Sequence, residues 1–173
     1  MQSEPMTLYK LMILYLLKQI NAALGEHHIT DFFLSREYTS YFTLQQALYE
    51  LCEAGLIQLH RARHTSRYSV TGEGLQTFSF FGKRLSPEIL ADIDRFLAEN
   101  SFQIRNELNL HADYYQTETL EYCVRCALTE GNASLLSLEL TTPDEAQAAE
   151  MCRNFSLRSE NIYRLLLKEL LRR

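Results

Sequence analysis

With 173 residues, 46% of them apolar and 23% charged, the chain has the composition of a soluble globular protein rather than a disordered one, and it is long enough for one sizeable domain or two small ones. Its longest apolar run, LMILYLL over 11–17, falls short of the roughly 20 residues that a membrane span needs. MQSEP at its start lacks the positive charge of a signal peptide, so a cytoplasmic location and no membrane partner are expected. The net charge of −5 is uneven: residues 1–84 carry eight Lys or Arg against seven acids, the remainder nine against fifteen, a split that bears on partners and not on fold.

Thr7 is placed to cap a first helix, in which Leu8, Leu11, Met12, Tyr15, Leu16 and Ile20 recur at helical spacing until Gly25 ends it. A short second helix fits 27–35, with Ile29, Phe32 and Phe33 turned inward. Tyr38-Thr39-Ser40-Tyr41 follows, with two N-cap candidates and no Gly or Pro. The third helix is expected over about 41–54. Leu44, Leu48 and Leu51 fall at i, i+4 and i+7 on its buried face, and Gly55 stops it. Residues 56–59 read as a strand, 60–66 as a polar and basic connection, and 67–70 as the returning strand. Thr71-x-x-Gly74 then opens a fourth helix that runs through Phe81 to Gly82.

The order helix, helix, helix, hairpin, helix, with short connections, resembles a winged helix-turn-helix domain over about 7–81. The residues that carry the resemblance are Leu48-x-x-Leu51-x-x-x-Gly55-Leu56-Ile57, the basic hairpin, and Tyr68-Ser69-Val70-Thr71-x-x-Gly74. Bacterial regulators of the MarR and PadR kind are distantly similar. The run from Leu11 to Ile57, with YTSYFTLQQAL at its centre, more closely resembles a family of uncharacterised bacterial winged-helix proteins carrying a domain of unknown function. That resemblance implies a transcriptional regulator bound to double-stranded DNA, but it supplies no operator, ligand or verified binding residue.

In such a protein the third helix enters the major groove and the hairpin, about 56–70, follows the phosphate backbone. Base edges call for polar side chains on the outer helix face, and phosphates for bases on the hairpin. The candidates are Thr39, Ser40 and Tyr41 at the helix start, where backbone N–H groups favour a phosphate. Thr43, Gln45, Gln46 and Tyr49 are the candidates on the outer face, and Arg61, Arg63, His64 and Arg67 on the hairpin. Residues 56–84 hold five Lys or Arg and one acid, Glu73, the footprint of a phosphate contact. The outer face of the third helix, however, has no Lys or Arg and carries Glu50 and Glu53. The alternative is therefore a winged-helix module that binds a protein partner through Tyr38, Tyr41 and Tyr49, with the basic hairpin merely solvated.

From residue 85 a second domain is expected, making the whole α+β: domain 1–84 is the winged helix and domain 85–173 a dimerisation or sensor unit. Ser86-Pro87-Glu88 starts a helix. Ile89, Ile93, Phe96, Leu97, Ile104 and Leu108 form its apolar stripe to about Asn109, with a break at Asn100-Ser101. Strands fit 112–117, 120–129 and 134–140, with Glu130-Gly131-Asn132 as a hairpin turn. Thr142 at N-cap and Glu145 at N3 begin a capping box. Helix follows to the end, as one rod or as two pieces broken near 156–159. Its last part, with Ile162, Tyr163, Leu165, Leu166, Leu167, Leu170 and Leu171, is apolar enough for core packing, for a second subunit, or for both. A homodimer suits DNA, since two recognition helices about 34 Å apart read a palindrome; the helix from Ser86 is the other dimer candidate. An unidentified small-molecule effector is the further partner expected for this domain.

Of the four cysteines, only Cys123-x-x-Cys126 has metal-like spacing. It lies in an alternating stretch, where positions three apart point to opposite faces and cannot share an ion. No cofactor, metal or catalytic residue is expected, and no nucleophile–base pair with recognisable spacing indicates an enzyme.

Overall fold

A computed structural model describes residues 4–62, 65–130 and 133–172. The chain is mixed α+β and divides into two compact units, Met1–Ile104 and Arg105–Arg173. Among the described residues, no helix is long and apolar enough to cross a membrane.

Helix α1 (Glu4–Ile20) is the centre of the first unit. Leu11, Met12, Ile13, Leu14, Leu16 and Leu17 are all buried, so its middle turns have almost no solvent face. It starts before Thr7, because Pro5 is tolerated in a first turn and Glu4 suits the positive end of the helix dipole. It ends before Gly25: Asn21 takes a φ of 51°, and its N–H donates to the Leu17 carbonyl at 3.1 Å. Gly25 instead belongs to β1 (Leu24–Gly25), a two-residue strand with no signature in the sequence.

α2 (Glu26–Ser35) buries His28, Ile29, Phe32 and Phe33. Glu37, at φ 55°, turns the chain back, and Ser40 caps α3 (Tyr41–Glu53) by accepting from the Thr43 N–H. The inward face of α3 is Leu44, Ala47, Leu48 and Leu51. Gly55, at φ 69°, closes the helix, and the Leu56 N–H reaches the Leu51 carbonyl at 3.0 Å.

β2 (Ile57–Ala62) and β3 (Thr65–Val70) pair antiparallel, and β1 pairs with the other edge of β3, in the order β1-β3-β2. Both strands of the hairpin run about two residues longer than their apolar patterning suggests, because cross-strand hydrogen bonds extend through the polar part. α4 (Gly72–Phe81) follows with Thr71 as its cap. The Thr71 hydroxyl accepts from the Gly74 N–H at 3.1 Å and donates to the Gly55 carbonyl at 2.7 Å, locking the start of α4 to the end of α3.

A 3-10 turn (Gly82–Arg84) leads to α5 (Pro87–Glu99), capped by Ser86. The compact unit that holds this helix runs to Ile104, past the boundary expected after residue 84. Ile93 and Phe96 are buried, and the Phe96 ring lies 5.2 Å from that of Phe32. Asp92 holds the Arg36 guanidinium at 3.1 Å. The helix thus completes the first core. The expected break at Asn100-Ser101 is present: α5 stops at Glu99, the Asn100 side chain donates to the Phe96 carbonyl at 2.8 Å, and α6 (Ser101–Asn109) begins. The division between the units falls within α6.

In the second unit, β4 (Leu110–Gln116), β5 (Tyr122–Glu130) and β6 (Ala133–Thr142) form an antiparallel sheet in chain order. Gly131 and Asn132 of the expected turn lie outside the described residues. α7 (Glu145–Leu170) covers one face, and Ala148 and Phe155 pack on Tyr114, Val124 and Cys126. Its cap is Asp144, not Thr142: the Asp144 carboxylate accepts from the Ala146 N–H at 2.9 Å, while the buried Thr142 hydroxyl donates to Gln147 at 2.6 Å. A kink at Arg158, φ −125°, falls inside the 156–159 window. Cys126 faces α7, and burial pushes its thiol up to about 11. Cys123 lies on the other face, near Tyr115 and Arg125, so the two thiols diverge as the strand period requires.

Candidate nucleic-acid interface

The outward side of α3 is set by the leucines opposite it. With Leu44, Leu48 and Leu51 buried, the stripe Phe42, Gln46, Tyr49 and Glu53, at i, i+4, i+7 and i+11, faces solvent. Phe42 is 86% exposed and Tyr49 65%; Tyr41 is also exposed. Phe42 is missing from the residues that the sequence singles out. Its signal was the complement of the leucine pattern, which a search for polar side chains passes over.

The polar candidates divide. Ser40 is spent on the cap, its oxygen 3.3 Å from the Thr43 nitrogen and 3.0 Å from the Thr43 hydroxyl. Gln45 donates to Glu26 of α2 at 2.6 Å and is half-buried, so its amide is committed within the protein. Gln46 is exposed and donates to Glu50 at 2.9 Å. Glu50 also pairs with Lys10 of α1. Hydrogen bonds from Lys10 and then from Gln46 hold its carboxyl below the usual carboxylate range, and the Lys10 ammonium offsets its charge. Of the two acids, Glu53 is the one that stands on the solvent stripe. Tyr38 is removed from the surface set: its ring packs on Phe32 and Phe33, and its hydroxyl donates to Asp92. Thr39 is half-buried beside it.

The bases of the hairpin do not form one patch. Cross-strand partners share a face and neighbours along a strand alternate. Arg61 pairs with Ser66 in register, and His60 pairs with Arg67. Arg61 therefore lies on the face of Leu59 and Tyr68, whereas His60 and Arg67 lie on the opposite one. Arg61 is exposed and its charge is felt at Tyr68, whose hydroxyl is pushed up to about 12 by burial and then by Glu26, with Arg61 acting in the lowering direction. His60 is bonded to Ser69 at 2.7 Å, and Arg67 is half-buried. Arg63 and His64 lie outside the described residues.

The exposed groups of this region are a helix stripe of Phe42, Gln46, Tyr49 and Glu53, and a hairpin with Arg61 on one face and His60 with the half-buried Arg67 on the other.

The chain belongs to the family described as domain of unknown function (DUF4364), whose model matches residues 9–170. Neither the curated proteins nor the solved structures gave a match.

Proposed function

We propose that this chain is a DNA-binding transcriptional regulator of winged-helix type that works as a homodimer, with α3 as recognition helix and the β2–β3 hairpin as wing. The observation that carries the reading is the exposed outer stripe of α3 followed directly by a hairpin that bears His60, Arg61 and Arg67 with no acid between Ile57 and Val70. The hairpin cations serve phosphates on either side of the strand pair. Gln46 reads a base edge, for which adenine is the natural partner, and Phe42 rests on a thymine methyl.

Support for the dimer comes from α7. Beyond its kink, Leu165, Leu167, Leu170 and Leu171 are all exposed, the last two by 78% and 75%. The other candidate, α5, has spent Ile93 and Phe96 on its own core. An antiparallel second copy sets Glu160, at the acidic start of this stretch, against Lys168 and Arg172 near its end.

A second reading, a module that docks a protein partner, is favoured by Phe42 itself, since a largely exposed Phe beside Tyr49 suits a protein interface. Selection of bound sequences from random duplex DNA separates the two. An enriched inverted repeat supports the regulator. No salt-dependent duplex binding at about 50 mM salt rejects it and leaves the partner reading.

A further inference from the structure

Between α1, α3 and α4 the first unit contains a cavity of about 290 Å3. Its apolar lining comes from Leu11, Leu14, Leu51, Leu56 and Phe81. Its charged lining is Lys10, Glu50 and Arg84. Two of these are matched already: Lys10, only 12% exposed, pairs with Glu50, 30% exposed. Arg84 is different. It follows α4 in the 3-10 turn, is exposed, and has no ion-pair partner among the described residues.

An apolar hollow that ends at an unmatched guanidinium selects its own complement. Ligand sites are mostly apolar with a few polar groups that fix orientation, and this volume lies at the small end of their range. A neutral apolar molecule would fill the hollow and leave Arg84 unmatched. A cation would meet Lys10 and Arg84 with only Glu50 to offset them. A monoanion with an apolar body satisfies both parts, and a carboxylate is the bidentate partner that a guanidinium fits.

We infer that this cavity binds a small organic monocarboxylate, its apolar body against Leu11, Leu14, Leu51 and Phe81 and its carboxylate on Arg84. The same carboxylate competes with Glu50 for the Lys10 ammonium. Glu50 also holds the Gln46 amide at 2.9 Å, and Gln46 stands on the exposed stripe of α3. Occupancy is thereby passed along Lys10, Glu50 and Gln46 to the outer face of that helix. This second step rests on the DNA reading of α3; the site itself does not.

The test titrates the full chain with octanoate and 3-phenylpropionate, with 1-octanol as the uncharged comparison, by calorimetry. One saturable site is expected for the acids, with the alcohol weaker by about tenfold or more. Arg84→Gln should weaken the acids to a similar degree. Thr77→Phe, which fills the cavity from α4, should remove binding while circular dichroism stays unchanged. The proposal is overturned if neither acid saturates the chain by about 10 mM, if octanol binds as well as octanoate, or if both variants bind the acids like the unmodified chain. Duplex binding measured with and without octanoate tests the relay. A change in affinity that Arg84→Gln abolishes supports it, and salt-dependent duplex binding indifferent to bound octanoate overturns it. Octanoate binding with no duplex binding at all keeps the site and rejects the regulator reading.

Discussion

The phenol of Tyr38 donates to Oδ2 of Asp92 at 2.8 Å, while Oδ1 of the same carboxylate lies 3.1 Å from the Arg36 guanidinium. One carboxylate on α5 thus fastens two points of the turn between α2 and α3, and with it the approach to the Ser40 cap. Burial, and then the bond to Asp92, push the Tyr38 hydroxyl from its ordinary value of 10.0 up to about 12. The folded protein therefore holds this proton more tightly than the unfolded chain does. The resulting stability is complete below about pH 10 and is lost as pH rises through about 12. Tyr38→Phe should be less stable by about 1 kcal/mol at neutral pH. Urea denaturation at stepped pH should show the two proteins converging across that alkaline window. Tyr68 titrates in the same window in both proteins, so the readout is their difference, and a difference that ignores pH contradicts the assignment.

Gly74 is where α4 meets the chain leaving α3. A Cβ there would lie 2.0 Å from the Leu56 carbonyl oxygen and 2.9 Å from a Val70 methyl, and the first of these is backbone that cannot swing aside. Gly74→Ala should therefore cost about 1–3 kcal/mol. Gly72→Ala, with nothing within 4 Å of the added carbon, should be neutral or stabilise by up to about 1 kcal/mol through helix propensity. Thermal melts of the pair measure the close approach directly; equal melting temperatures would refute it.

On the DNA reading, Arg61→Ala should weaken binding to all duplexes alike and reduce the slope of log affinity against log salt by about one. Gln46→Ala should instead relax preference at one base pair and leave the slope unchanged. Anisotropy titrations over a salt series distinguish them. A variant at Arg61 that changes sequence preference, or one at Gln46 that changes the slope, would reverse the roles given to helix and hairpin.

For the dimer, Leu167→Asp combined with Leu171→Asp should yield a monomer by light scattering. Each chain should stay folded by circular dichroism, since both leucines are exposed within one copy, and its melting temperature should fall only by the stabilisation that association supplied. A monomer at tens of micromolar in the unmodified chain would remove the α7 interface from consideration.

Much of this fold was legible because its elements are punctuated. Gly55, Ser86-Pro87 and the Asn100-Ser101 step each mark a helix end by local backbone chemistry, and the structure has a boundary at each. Where two signals competed, the wrong one was the more familiar. Gly25 outranks Asn21 as a terminator on residue type, yet Asn21 makes the left-handed turn and Gly25 enters a sheet through Arg67, 42 positions later. Likewise Thr142 reads as the cap of α7, but its burial directs the hydroxyl to Gln147 and leaves Asp144 to cap. That α5 packs into the first core was not legible at all, because a helix start is local whereas the choice of core depends on Phe32 and Arg36 far back in the chain. The candidate interface was half legible for the same reason. Periodicity fixes which side of α3 faces out, but only the fold reveals that Gln45 is held by Glu26 and Tyr38 by Asp92.

The burial of α1 on nearly every side has a consequence for synthesis. Its six large apolar side chains leave the ribosome well before the partners that cover them. α3 follows some twenty to thirty residues later, and Phe96 of α5 comes 76 residues after the helix ends at Ile20. At translation rates of about 5–20 residues per second, roughly 4–15 s pass between the helix and its last cover. During that interval the nascent chain presents Leu11 to Leu17 to the cell as a naked greasy rod, the kind of segment that chaperones hold. The first unit therefore cannot complete its core until α5 has emerged, and slowed elongation between α1 and α5 should favour aggregation over folding.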